Sequence, residues 1–202
     1  MVRVGISVIT PTLGRSSLTE VIRRTGEQMA EHDQHIIVLD SLNGSPLSAR
    51  RQVAALGPRY WYSEHGNPRS FSGAAQRDVA MGVASGSHLW FVDDDDLIEP
   101  GAFEEIREAV ARHPDRPHFF PMERTGIWFD HVIWEQGRMG GSQIIWPNVL
   151  DKLPTWMPPG GPSEHGADMQ FTRRLLEFYP EGPIEHDYFI LVSPVGHIQG
   201  HR

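Results

Sequence analysis

The stretch His88-Leu89-Trp90-Phe91-Val92-Asp93-Asp94-Asp95-Asp96-Leu97 limits what this chain can become more than any other. Its apolar half, carrying aromatic and β-branched residues, reads as a strand in a sheet interior. Its acidic half cannot enter that interior unaided. Adjacent carboxylates repel one another, and they lose hydration on burial unless a cation or hydrogen-bond donors compensate. The C-terminal end of a central strand is also where open α/β sheets bind ligands. Asp93 and Asp95 stand two residues apart, so on an extended chain they point the same way and can share a divalent cation. The competing reading is an acidic loop that caps the next helix.

The residues before and after this stretch supply a sheet for it. Apolar runs at residues 4–10, 35–39 and 60–63 read as strands. Between them, Leu18, Val21, Ile22 and Met29 share a helical face behind a Ser17/Glu20 capping box, and a second helix is predicted near residues 48–56. A third helix is expected from a Ser72 cap to about residue 84, with Ala75, Val79 and Val83 in the core. A fourth starts with Pro100 in its first turn, buries Phe103, Ile106 and Val110, and stops at Pro114. Strand and helix alternate through residue 113, which predicts a mostly parallel sheet flanked by helices.

Beyond residue 114 the pattern changes. Strands are predicted at 118–122, 127–134, 143–146 and 188–192, with a short helix within 148–156 and a longer one over 167–178 that buries Phe171, Leu175 and Phe178. No linker separates the halves, so 202 residues predict one α/β domain: residues 1–113 for ligand binding and 114–202 as a smaller, antiparallel portion. The net charge of −8 argues against a general nucleic-acid binder. The chain has no cysteine, hence no disulfide framework. No signal-peptide pattern and no run of membrane-spanning length is present, so the cytoplasm is the expected compartment.

Three polar clusters fall at strand ends of the parallel half: Thr10-Pro11-Thr12, Asp40, and Asp93 to Asp96. In a doubly wound sheet such ends gather over one crevice. Backbone groups from Pro11 to Gly14 can hold a nucleotide there, and Asp40 can accept a base N–H. Asp40 also suits a turn before Ser41 and Asn43.

In this order the clusters resemble a known family. Ser7-Val8-Ile9-Thr10-Pro11-Thr12, Ile36-Ile37-Val38-Leu39-Asp40-Ser41, Gly73-Ala74-Ala75-Gln76-Arg77-Asp78 and Phe91-Val92-Asp93-Asp94-Asp95-Asp96 are together similar to family 2 glycosyltransferases of the GT-A fold. The resemblance covers roughly the first 110 residues. It implies a nucleotide-sugar donor, with a UDP-sugar first in expectation, and Mn²⁺ or Mg²⁺ as the ion. Asp93 and Asp95 fill the acidic places of the Asp-x-Asp motif. Asp95 is then the direct metal ligand, and Asp93 touches ribose or a metal-bound water. Asp94, Arg15 and Arg77 fall among the donor-binding residues; Arg77 either approaches the sugar or braces the aspartates, and Arg15 either reaches a phosphate or is a solvated loop residue.

In the second half the resemblance implies Asp168 as the base on the acceptor hydroxyl, although Ala167 precedes it where the family usually has Glu. An aspartate there also suits the first turn of a helix. A late histidine of such enzymes joins the metal; His197 fits best, with His186 and His201 as rivals. Trp128, Trp134 and Trp146 suit either an acceptor cleft or core packing, with core expected for at least two of the region's tryptophans, and residues 156–165 suit a mobile lid.

Two other functions compete. A sugar nucleotidyltransferase normally needs a Gly-rich, Arg-containing loop and a lysine directly after the first strand, whereas Pro11-Thr12-Leu13-Gly14-Arg15 stands there and Lys152 is the single lysine. The other is a nucleotide- or metal-binding module without turnover. A calcium loop would need a glycine that the aspartate run lacks. The acceptor is open: saccharide, small metabolite, lipid-linked sugar, protein or modified nucleic acid.

Overall fold

The apolar runs form the centre of a sheet whose strands are β1 (Ile6–Thr12), β2 (Gln34–Asp40), β3 (Tyr60–His65) and β4 (His88–Phe91), all parallel in the order β3-β2-β1-β4. The computed structural model describes residues 4–68, 73–124, 127–129, 141–157 and 167–193. β1 and β4 are buried along their whole length. That is why their sequences are apolar without alternation: helices cover both faces.

Successive residues serve opposite faces. Val8, Trp90 and Val92 pack with Val21 of α1 (Leu18–Gln28) and with Phe103, Ile106 and Val110 of α4 (Ala102–Arg112). Ile9, Leu89 and Phe91 pack with Ala74 and Ala80 of α3 (Ala74–Met81) and with Phe171 and Leu175 of α5 (Ala167–Leu176). α2 (Pro46–Val53) links β2 to β3. α4 is further pinned by Arg107, which pairs with the buried Asp33; that carboxylate also accepts Ile6 N (2.9 Å) and Ala30 N (2.7 Å).

The second half extends the same sheet. β6 (His118–Phe119), β9 (Ile144–Pro147) and β10 (Ile184–Glu185) complete the order β10-β6-β9-β4-β1-β2-β3, with β9 antiparallel to both β4 and β6. A second sheet has the order β5-β11-β7-β8, from β5 (Leu97–Ile98), β7 (Met122–Arg124), β8 (Ile127–Phe129) and β11 (Leu191–Ser193). It is mostly antiparallel, with one parallel pair, β11 on β7. No helix among the described residues is long and apolar enough to cross a membrane.

Several local expectations are corrected. Ser17 stands at the α1 N-cap without a side-chain cap bond: its backbone is already helical (φ −59°, ψ −30°) and Glu20 N donates to its carbonyl (3.0 Å), while the Glu20 carboxylate, the other half of the expected box, is taken by Arg23 (2.6 Å) and Arg24 (2.9 Å). Those two guanidiniums, Arg23 first, hold the Glu20 carboxyl down at about 2. Pro100 precedes the helix instead of opening it, since Gly101 is the N-cap of α4. Val83 and Phe178 lie beyond the ends of α3 and α5 and are 38% and 45% exposed. The predicted 118–122 strand is split between two sheets, and the last strand begins at Leu191. Ser72, Trp134 and residues 158–165 lie outside the described residues.

Candidate active site

The sheet topology places the site. β1 has β2 on one side and β4 on the other, so the chain leaves its C-terminal end in opposite directions and opens a crevice there. Thr12 ends β1 and Asp93 follows β4 by two residues, and the crevice lies between them.

The four aspartates divide by alternation. Asp94 and Asp96 are 3% and 4% exposed and are satisfied by the protein. Asp94 Oδ2 accepts Thr12 Oγ1 (2.6 Å) and Leu13 N (3.1 Å), and its Oδ1 accepts the Arg15 guanidinium (2.9 Å). Asp96 Oδ2 accepts Ser142 Oγ (3.0 Å), in the 3₁₀ turn Gly141–Gln143 just ahead of β9. Thus Asp94 latches the loop after β1 to the end of β4, and Asp96 holds the second half against it. Asp93 and Asp95 face outward, with side chains 42% and 17% exposed. Asp93 pairs with Arg77 of α3, and Asp95 Oδ2 accepts Arg15 (3.1 Å). Arg15 therefore bridges two neighbouring aspartates, and Arg77 takes the bracing geometry.

The other predicted residues sit as follows. Thr10 Oγ1 lies 3.0 Å from His35 Nε2 inside the sheet, where burial pushes the His35 imidazole down to about 3. Pro11 lies beneath the start of α3: a Cβ on Gly73 would come within 2.6 Å of its ring, and Gly73 has φ +74°. Asp40 closes a turn, its Oδ1 accepting Leu42 N (3.0 Å) and Asn43 N (3.2 Å) and its Oδ2 accepting Asn43 Nδ2 (2.9 Å). Asp168 is in the first turn of α5. It borders Gly141, where an added Cβ would lie 3.5 Å from Asp168 Oδ1 and 3.2 Å from the Trp156 ring. The turn that carries Ser142 to Asp96 therefore also touches Asp168.

Histidine ligation divides differently. His197 and His201 lie outside the described residues. His186 is stacked on Phe120 (4.4 Å between ring centres) and bonded to His118 (3.0 Å) beside β10. Among the described residues no three His, Cys, Asp or Glu side chains form a ready-made metal site. The outward pair Asp93 and Asp95 nevertheless fits a hard cation of the Mn²⁺ or Mg²⁺ type. Such ions take oxygen ligands, and Mg²⁺ in particular often binds one or two carboxylates and completes its shell with water and substrate phosphates.

Among the described residues of the second half, two tryptophans belong to the core. Trp146 and Trp156 are each 1% exposed. Trp156 stacks on Phe171, meets Phe91 edge-on and lies under Arg77. The expected lid thus has a fixed start, because Trp156 and Met157 are held by Asp78. Sequence reasoning did not find Asp78 or Ser142. Asp78 is a surface-type residue on a helix, 77 positions from its nearest partner, and no local pattern marks such a pair.

Comparison with known proteins agrees with this fold. Residues 7–155 match the model of a family described as Glycosyl transferase family 2. No curated protein matches in sequence. Among solved structures, S. aureus TarS residues 1–349 superpose with a TM-score of 0.73 at 17% identity, over 94% of this chain and 60% of that one. The same protein in complex with UDP gives 0.72 at 18% identity, over 95% and 60%. In complex with UDP-GlcNAc it gives 0.73 at 19% identity, over 94% and 58%. The fold is that of the GT-A neighbours, and this chain spans about three fifths of the TarS fragment it matches.

Proposed function

The chain belongs to glycosyl transferase family 2, and from that premise we propose that it moves a sugar from a UDP-sugar to an acceptor hydroxyl, with a divalent cation and with inversion. The observation that carries the proposal is the division of the aspartate run. Asp94 and Asp96 are consumed in holding the crevice together, while Asp93 and Asp95 are presented into it. The UDP and UDP-GlcNAc complexes of TarS, a structure of the same fold, favour a uridine nucleotide.

In this reading the loop from Pro11 to Gly14 and Asp40 receive the nucleoside, Asp40 accepting a base N–H with the Oδ2 that now takes Asn43. Asp93 and Asp95 hold the ion, with His197 as the further candidate ligand. When bound, the ion acts as a Lewis acid for the charge that develops on the departing nucleoside diphosphate. With Asp95 engaged as a ligand, Arg15 would turn from that carboxylate toward a phosphate of the donor. Arg77 keeps Asp93 oriented. Asp168 takes the proton of the acceptor hydroxyl as the new bond forms at the anomeric carbon, which passes through an oxocarbenium-like state. A base must lie within hydrogen-bond reach of that hydroxyl, and the shared contact of Asp168 and Asp96 with the Gly141–Gln143 turn favours this.

The test is UDP release from a panel of UDP-hexoses with Mn²⁺, using water and simple sugars as acceptors. Asp168→Asn should lower turnover by a factor of at least about 100, as expected for loss of a general base, while leaving UDP affinity within threefold. Undiminished turnover in Asp168→Asn would remove that residue from the role.

A further inference from the structure

We infer that Asp78 is a positioning residue for the reaction, acting through Trp156; the inference rests on the glycosyl-transfer reading above. Asp78 follows Arg77 on α3, and its carboxylate collects three donors from one short turn. Oδ1 accepts Trp156 N (2.6 Å), and Oδ2 accepts Met157 N (3.0 Å) and Thr155 Oγ1 (2.5 Å). A carboxylate that accepts backbone N–H groups forms charge-assisted bonds, stronger than neutral ones. From the other side, Arg174 of α5 donates to Thr155 O (2.8 Å). The turn is thereby held between α3 and α5.

What it holds in place is the Trp156 ring. Trp156 is stacked on Phe171 (4.1 Å between ring centres, planes 10° apart) and meets Phe91 edge-on (5.0 Å, 74°). Arg77 Cζ lies 4.7 Å over its face. Its Nε1–H is buried and finds no acceptor among the described residues, so the ring orientation follows its faces and not its one polar atom. Each neighbour sits next to a residue of the proposed chemistry. Phe91 is two residues before Asp93, Arg77 pairs with Asp93, and Phe171 is on α5 three residues after Asp168, on the same helical face. Trp156 therefore spaces the base-bearing helix from the outward aspartates. Asp78 fixes Trp156 without itself reaching the crevice residues.

The experiment compares wild type with Asp78→Asn and, as a milder variant, Thr155→Val, which keeps the two backbone donors. UDP affinity is titrated with Mn²⁺ well below the unfolding temperature, and the Arg77 Nε–H resonance is followed by NMR without ligand. With Arg77 Cζ 4.7 Å over the ring, the tryptophan face is expected to shift that resonance upfield in wild type. Asp78→Asn is expected to weaken UDP binding at least tenfold and to return the resonance toward its ordinary position, with Thr155→Val moving both in the same direction by less. A folded Asp78→Asn protein with affinity and resonance unchanged overturns the proposal. If Asp78→Asn does not fold, Thr155→Val decides on the same two readings. If wild type binds no UDP, the donor reading fails and with it the role in the reaction, while an unchanged Arg77 resonance in Asp78→Asn separately overturns the claim that Asp78 orients Trp156.

Discussion

Asp94 and Asp95 are neighbours with opposite fates. Asp94 accepts a hydroxyl, a backbone N–H and a guanidinium while nearly excluded from water, whereas Asp95 shares an exposed arginine at the rim. Replacing Asp94 by Asn leaves an NH₂ group facing one of those donors. We expect Asp94→Asn to cost about 2 kcal/mol, the usual penalty for unpairing a buried charged acceptor. Asp95→Asn should cost less than about 1 kcal/mol, because exposed ion pairs contribute little. Urea unfolding of the two variants checks the contrast, and equal losses would mean that the division of the run is wrong. The sequence put Asp93 and Asp95 on one side of an extended chain. In the structure β4 ends at Phe91 and the aspartates form a turn, with Asp96 N donating to Asp93 O (3.1 Å), so the division of the run comes from that turn and its partners and was not legible as strand alternation. Nor were the partners of Asp94 legible, because Thr12 and Arg15 lie about 80 positions away. The double role of Asp40, turn-former or base acceptor, was legible only as a choice; the turn is what the hydrogen bonds show.

At the scale of elements, the joint between the start of α3 and the end of β1 decides whether Arg77 reaches Asp93. Gly73 caps α3 with φ +74°, and its Cα faces Pro11 at a distance that admits no Cβ. Gly73→Ala adds both a strained φ and a clash with the rigid Pro11 ring. It should destabilise the protein by at least about 1–2 kcal/mol and weaken metal-dependent UDP binding through Arg77. Thermal unfolding together with UDP titration tests this, and an alanine variant as stable and as tight-binding as wild type would contradict the packing described. The elements of the first half were readable because β1, β2 and β4 are continuous apolar runs separated by amphipathic helices. In the second half β6 and β10 have two residues each, too few to show a period, and β9 enters between β4 and β6 by long-range pairing. The antiparallel character of that half was readable. The division of residues 118–124 between two sheets was not.

Over the whole molecule, burial leaves several histidines neutral in the folded state. Burial pushes His35 to about 3, and His88 and His118 to about 4. His118 donates from Nε2 to His113 O (3.0 Å), so its Nδ1 is free to accept from His186 Nε2 (3.0 Å), and a proton on Nδ1 would disturb that pair. The unfolded chain binds protons on these side chains near pH 6.5. Between that value and about pH 4 the unfolded state therefore holds more protons than the folded one, so stability rises with pH in this window and falls on acidification. The slope is up to about 1.4 kcal/mol per pH unit for each imidazole. Glu20 and Glu64, whose carboxyls arginines hold low, lose their contribution only below about pH 4.5, at the acid end of this window, and leave the range from pH 6.5 to 5 to the histidines. The unfolding temperature should be level above pH 7 and drop steadily from pH 6.5 to 5; a level profile down to pH 5 would contradict the burial assigned to these histidines.

The account as a whole depends on two outward carboxylates receiving a metal-bound uridine nucleotide at the end of β4. Calorimetric titration of UDP, with GDP as control, with and without Mn²⁺, on wild type and Asp95→Ala, tests that most directly. The account predicts UDP binding that requires Mn²⁺, exceeds that of GDP, and is lost in Asp95→Ala. Binding that ignores both the metal and Asp95, or no binding of either nucleotide, would contradict it.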